Sequence, residues 1–390
     1  MRSLGKTGEM MSTRAPIDLP DIAGVNLEPP GTAEVEAIGS AVVSVLIDDA
    51  SADPGLTDLQ RVVLAAVFES MTGHRPSLDP PPSDVDPLEV LRVRNLAFRA
   101  RIVQQMILGV LVVRPPSPAA VARIREASRR LGVEEGMIDV AAAFADGQFD
   151  LALVDFDRNG YTANWDVSRA DVLHATGAVT APWQQDSADP ELAARWRSLE
   201  GLAEGSLGLA VSRFYRARGF SYPGTEGSVS PLLAQHDWVH VLADYGATID
   251  NELEVFAFIA RANDDPRGFS FLAMVVSLFE SGMLTSGAGL FEPDAGHLQL
   301  AGMPERIADA MRRGALCRGS IDFLRLDWFE LAHRQLADLR EEFGIVPKRS
   351  DIRSPGPFNP GGMTSSQWDG GHAAARHLGK EYQSWGASPA

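Results

Sequence analysis

The chain has 390 residues, 45% of them hydrophobic, and a formal charge of -17. That length can hold two hydrophobic cores. The negative charge argues against a nucleic-acid binder, which needs a basic face, and against electrostatic adhesion to anionic lipid. A single cysteine, Cys317, excludes an internal disulfide and suits a reducing, cytoplasmic location, with any membrane contact peripheral and hydrophobic.

Residues 1–31 are polar and punctuated by proline, which predicts a flexible lead without an apolar leader segment. From Thr32, the apolar residues Val35, Ile38, Val42, Val45 and Leu46 recur at helical spacing. Thr57 can cap the next helix, which runs through Val62-Val63-Leu64 to Met71. A proline-rich loop (Pro76 to Pro87) precedes a helical run from Leu88 to Val113, and Ser117-Pro118 opens a further helix carrying Val121, Ile124 and Leu131. Residues 32–150 thus read as a helical bundle. The acidic turn before Leu59-Gln60 is faintly similar to TerB-like tellurite-resistance domains, and the bundle is a candidate surface for a protein partner. Residues 151–195 read as a connecting segment. Within it, Asp155-x-Asp157-x-Asn159-Gly160 with Asp166 has the opening of a calcium loop. Thr162 and the short Asp166 fit that pattern poorly, so an Asx-rich turn is the expected reading.

Chemistry is concentrated at His236-Asp237-Trp238-Val239-His240, followed by eleven residues and Glu252. On a helix of about 100° per residue, His236 and His240 lie on one face about 40° apart, and such a pair can grip one cation. A lone histidine on an apolar face is usually a packed core residue. A pair at this spacing with an adjacent Asp and a nearby Glu is a ligand set. On an unbroken helix Glu252 would stand about 160° away, so the chain must turn between them. Asp244 to Thr248 supplies the turn, with Gly246 as expected C-cap and Asp250 or Asn251 as cap of a second helix. Metal ligands His236, Asp237, His240 and Glu252 are predicted, for one divalent ion that the mixed N/O set leaves as Fe, Mn or Zn. Neutral imidazoles are required, so affinity is expected to fall below about pH 6.

These residues resemble the signature of the coenzyme Q (ubiquinone) biosynthesis family, the fourth Coq protein. The likeness extends upstream to Leu199-Glu200-Gly201 through Gly205-Ser206-Leu207-Gly208 and Phe214-Tyr215. Downstream it reaches Asp327-Trp328 and Leu339-Arg340 to Gly344-Ile345, covering 196–347. The family's arginines before the His-Asp pair are replaced here by Leu232-Leu233-Ala234-Gln235. The resemblance implies a metal-binding helical domain and oxidative decarboxylation, with hydroxylation, of a polyprenylated hydroxybenzoate. Asp237 and Glu252 are the candidate catalytic residues. A non-catalytic prenyl-lipid scaffold or carrier is a second reading. A metal-dependent hydrolase of the His-Glu-x-x-His type is a third, in which the shorter Asp237 makes a poor general base.

Gly268 to Phe291 is the most apolar stretch, and Glu280, Gly282, Gly287 and Gly289 make it a core helix ending near Gly282 in preference to a membrane span. It is a candidate wall for a prenyl tail of a quinone-like lipid, through Phe271, Val275 and Phe279. Its excess of apolar surface also predicts a homo-oligomer. Residues 348–390 are Gly-, Ser- and Pro-rich without apolar period, which predicts a disordered tail. The whole reads as all-α, with two helical domains.

Overall fold

The computed structural model describes residues 30–47, 55–80, 86–90, 93, 96–113, 115–148, 170–176, 188–263, 272, 275–276 and 296–382. Among these the chain is all-α, as expected, and the β pairing is an isolated antiparallel bridge between Ser206 and Gln335. Most of the lead, the Asp155–Asp166 loop, Phe271 and Phe279 lie outside the described residues.

Helix α1 (Thr32–Leu46) turns Val35, Ile38, Val42, Val45 and Leu46 inward. Helix α2 (Asp58–Thr72) starts at Thr57, whose side chain accepts from the Gln60 N–H while Gln60 accepts from the Thr57 N–H. The apolar run from 88 forms two helices, α3 (Pro87–Val90) and α4 (Leu96–Leu111). Helix α5 (Pro118–Leu131) is capped by Ser117 and ends on left-handed Gly132, and α6 (Met137–Ala145) follows. The second half contributes α7 (Ala170–Leu173), α8 (Pro190–Ser198), α9 (Leu207–Arg218), α10 (Gln235–Leu242) and α11 (Ile249–Ala262). After these come α12 (Met303–Ala315), α13 (Trp328–Leu331), α14 (Leu336–Glu342) and α15 (Ser365–His377).

Helix α11 is the axis of the packing. Of its 14 residues, 13 are buried, so it needs neighbours on every side. Helix α12 lies along it at a distance set by Gly314, where a Cβ would sit 2.2 Å from the Phe258 carbonyl oxygen. Helix α2 packs on α12, and Arg261 of α11 donates to the Ser70 carbonyl of α2 at 3.2 Å. The apolar core is continuous through these helices. Behind α10, Trp238 stacks on Trp328 with ring centroids 5.8 Å apart, and Trp328 on Phe323 at 6.2 Å. This column fixes the rotation of α10 about its axis.

The disordered tail is corrected. Residues 365–377 form α15, opened by a reciprocal cap between Thr364 and Gln367. Its glycines serve close packing: a Cβ on Gly371 would fall 2.1 Å from the Ala217 carbonyl oxygen of α9. A glycine-rich composition reads as disorder only when no partner backbone is known. Among the described residues, no helix is long and apolar enough to cross a membrane. Leu272, Val275 and Val276 of the apolar run are helical and buried.

Replacing Gly314 with Ala forces α11 and α12 apart, and overpacking of this kind costs about 1–3 kcal/mol. Chemical denaturation should show a lower midpoint at unchanged slope. An unaltered midpoint would mean that the close approach is not part of the stable fold.

Candidate metal centre

Helix α10 is two turns long and ends at Ala243. The reversal after it differs from expectation. Asp244 takes the left-handed conformation (φ 64), and Thr248, in place of Asp250 or Asn251, precedes the first residue of α11. Gly246 is required for a different reason. A Cβ there would meet Asn251 Oδ1 at 2.4 Å and Gly362 Cα at 2.5 Å, so glycine lets the C-terminal segment close over the loop. The Gly246 N–H donates to the Pro355 carbonyl at 3.1 Å, and the Ala247 N–H to the Gly362 carbonyl at 2.9 Å. This short reversal brings Glu252, in the first turn of α11, back to the histidines, as the spacing predicted.

His236, His240 and Glu252 are all buried, and one ligand atom from each lies within 4.8 Å of the others. His236 Nε2 is 3.1 Å from Glu252 Oε2, and His240 Nε2 is 3.1 Å from Glu252 Oε1. Ligand atoms about 2.0–2.1 Å from a tetrahedral ion are about 3.3 Å apart, so the spacing suits a cation such as Zn²⁺. The far sides of both rings are fixed. His240 Nδ1 donates to the Gly246 carbonyl at 2.6 Å, and His236 Nδ1 donates to the Leu233 carbonyl. A carbonyl only accepts, so each Nδ1 carries the proton and each Nε2 meets the carboxylate. A neutral imidazole would then aim a lone pair at an anion. Only a second proton or a cation between them relieves that repulsion. Phenyl rings hold the imidazoles in plane: Phe256 against His236 at 5.2 Å and Phe214 against His240 at 5.6 Å.

Asp237 stands one step aside from the three. Its Oδ1 is 3.5 Å from His236 Nε2, and its Oδ2 accepts from the Tyr215 hydroxyl. Burial pushes the Asp237 carboxyl up, against the pull of both histidines. Burial and the Asp237 charge raise the Tyr215 phenol well above its ordinary value. Burial opposes the charged form of His236, yet the Asp237 and Glu252 carboxylates outweigh it and hold its pKa up to about 9. Burial likewise opposes the Glu252 anion, and the charges of His240 and His236 bring its pKa down to about 2.

His236, Asp237 and Glu252 face a cavity of about 130 Å³ whose other walls include Tyr215, Phe220, Ser228, Val229, Leu233 and Gln367. His240 closes the back of the site and is fully buried. Among the described residues no Lys or Arg lines this cavity. Val275, the described member of the expected tail-binding trio, is buried and does not line it either. Three candidate ligands with one side facing a cavity would leave a coordination position open, as reactive and not closed structural metal sites do.

Several contributors carry no signal in the sequence pattern. Gln367 closes one wall and donates to the Ala247 carbonyl at 2.7 Å. Arg218 is buried with its guanidinium 3.8 Å over the Phe214 ring, and donates to the carbonyls of Pro357 and Gly362 at 2.7 and 2.9 Å. Burial lowers its pKa to about 9, against the raising effect of nearby Asp237 and Glu252. The remaining histidines do not join the centre. His174 pairs with Asp327 at 2.8 Å, and His297 with Asp250 at 2.7 Å. His174 is therefore not the upstream ligand that a phosphohydrolase built on a His-Asp pair would need. Compared with known proteins, the chain matches no family model, no curated protein and no solved structure.

The pH window for metal uptake moves upward from the reference imidazole value. With its folded pKa near 9, His236 holds a proton at neutral pH that a cation must displace. Affinity should rise with pH up to about 9, and about one proton should be released per ion bound at pH 7.5. Calorimetry in buffers of different ionisation enthalpy measures this, and zero release would remove His236 from the ligand set. For the metal-free protein the signs are separable. The raised His236 stabilises fully below about 6.5 and loses this as pH climbs through about 9; the lowered Glu252 stabilises above about 4.5 and loses it as pH falls toward about 2.

Proposed function

We propose that this protein binds one divalent cation through His236, His240 and Glu252, with Asp237 at its edge, and acts on the oxygen-bearing head of a prenylated, quinone-like molecule. The observation that carries the reading is the pair of Nε2 atoms turned toward one buried carboxylate, with the cavity in front of them. Fe, Mn and Zn all suit this N/O set. The likeness to the ubiquinone-biosynthesis signature supplies the substrate class, and with it oxidative decarboxylation and hydroxylation of a polyprenylated hydroxybenzoate. The cation would supply a Lewis acid for the oxygens of the ring. The chain's own part is to orient that ring, exclude water, and offer the Asp237–Tyr215 pair as a proton acceptor and donor beside it.

The cavity's volume limits what enters. At about 130 Å³ it approaches the size of a cavity of about 150 Å³ that holds benzene, so one ring fits and a prenyl tail must lie outside. Burial of that tail would contribute about 0.8 kcal/mol per methylene.

A specific observation favours a second reading, a non-catalytic carrier or scaffold. No Lys or Arg among the described residues lines the cavity to hold a benzoate carboxylate, whereas a neutral quinone head needs none.

One assay separates the two. Metal-loaded protein is incubated with a prenylated hydroxybenzoate and dioxygen, and release of the carboxyl carbon is followed. Turnover reduced at least 100-fold by Glu252→Ala supports the enzyme, and tail-dependent binding without product supports the carrier. Affinity that ignores tail length refutes both. His240→Ala should abolish metal binding while leaving the helical circular dichroism in place; full occupancy in that variant would refute the centre itself.

A further inference from the structure

A second chamber lies against the first. It has a volume of about 310 Å³ and shares Gly219 and Phe220 with the metal cavity as a common wall. Its other sides come from α8, α9 and the chain around the end of α15. Its charge is of the opposite kind to the inner site. Arg197, Arg216 and Lys380 line it, and among the described residues none of them is ion-paired. Two carboxylates also border it. Glu200 is engaged by the Tyr222 hydroxyl at 3.0 Å, and Glu381 is exposed. A local excess of free cations on a chain of net charge -17 is unusual enough to need a reason. Between the cations the wall is apolar: Phe220, Tyr222, Ala375 and Leu378, the last 57% exposed at the mouth.

Unpaired cations set among aromatic and aliphatic surface recognise one class of molecule. We propose that this outer chamber binds an amphiphilic anion, a carboxylate or phosphate head carrying a short apolar chain, and does so independently of the metal centre. Arg197 and Arg216 offer planar guanidinium donors to the head. Phe220 and Leu378 cover the chain. Only Gly219 and Phe220 are common to the two linings, so the chamber has walls of its own and is not a corner of the inner cavity.

Octanoate, octyl phosphate and octanol, titrated by calorimetry at low ionic strength, test this. Either anion should bind at least 10-fold more tightly than octanol, and the tighter of the two identifies the preferred head. The double substitution Arg197→Gln, Arg216→Gln should bring the anions to the octanol level while leaving metal stoichiometry unchanged. Protein stripped of metal with a chelator and then dialysed should bind the anions as before. Binding that survives the double substitution, or that disappears with the metal, overturns the proposal. The second of those outcomes would place the anion at the metal and leave the metal reading intact.

Discussion

A single buried carboxylate constrains most of this structure. Glu252 is 3% exposed, inside a helix that is itself buried. An ion in such a place costs several kcal/mol unless its charge is answered on the spot. The answer is two imidazoles, each with its far nitrogen fixed to a backbone carbonyl, and the first turn of α11, whose unpaired amides favour an anion. The imidazoles must come from one helix face, so α10 has to be held in rotation, which the tryptophan column behind it does. The loop joining α10 to α11 must be short, or Glu252 would not return. Each requirement is a packing condition imposed by one charge.

The second condition is exclusion of water, and the C-terminal segment meets it. Residues 354–367 lie across the reversal, hydrogen-bonded to Gly246 and Ala247 and anchored by Arg218. Arg218 is an expensive anchor, since its charge is buried too. It is balanced through the Phe214 ring below it and the carboxylates nearby. Phe214 touches both Arg218 and His240, so the same ring that supports the cover also holds an imidazole of the candidate site in plane.

The sequence was legible where a rule of local spacing applies. The helical runs beginning at Thr32, Thr57 and Ser117 follow from apolar period and caps; the apolar residues named for the first and third are buried, as are Val63, Leu64 and Met71 of the second, while Val62 is exposed. The convergence of His236, His240 and Glu252 followed from three positions and the need for a turn. What could not be read was set by distant backbone. Gly246 has the composition of a C-cap but serves a contact with Gly362, more than a hundred residues away, while Asp244 takes the left-handed conformation. Residues 365–377 have the composition of a tail, yet their glycines allow two helices to touch. The caps gave the only local hint: Thr364-x-x-Gln367 is a helix start of the same kind as Thr57-x-x-Gln60. Tyr215 and Gln367 reach the site only through the fold, and neither has a spacing relation to the ligand motif.

The distribution of charge around Phe220 gives the two chambers complementary chemistry. On the inner side stand two carboxylates and two imidazoles, which a divalent ion would bring close to neutral; among the described residues no arginine or lysine lines the cavity, and the nearby Arg218 is covered by the Phe214 ring. On the outer side stand three cations without ion-pair partners among the described residues, beside Glu200, which the Tyr222 hydroxyl engages, and the exposed Glu381. The cations are kept from Glu252 and Asp237 by an aromatic wall. Had they lined the inner cavity, they would have paired with those carboxylates and competed with a metal for them. Separating the two sets keeps the outer guanidinium groups from pairing with the inner carboxylates.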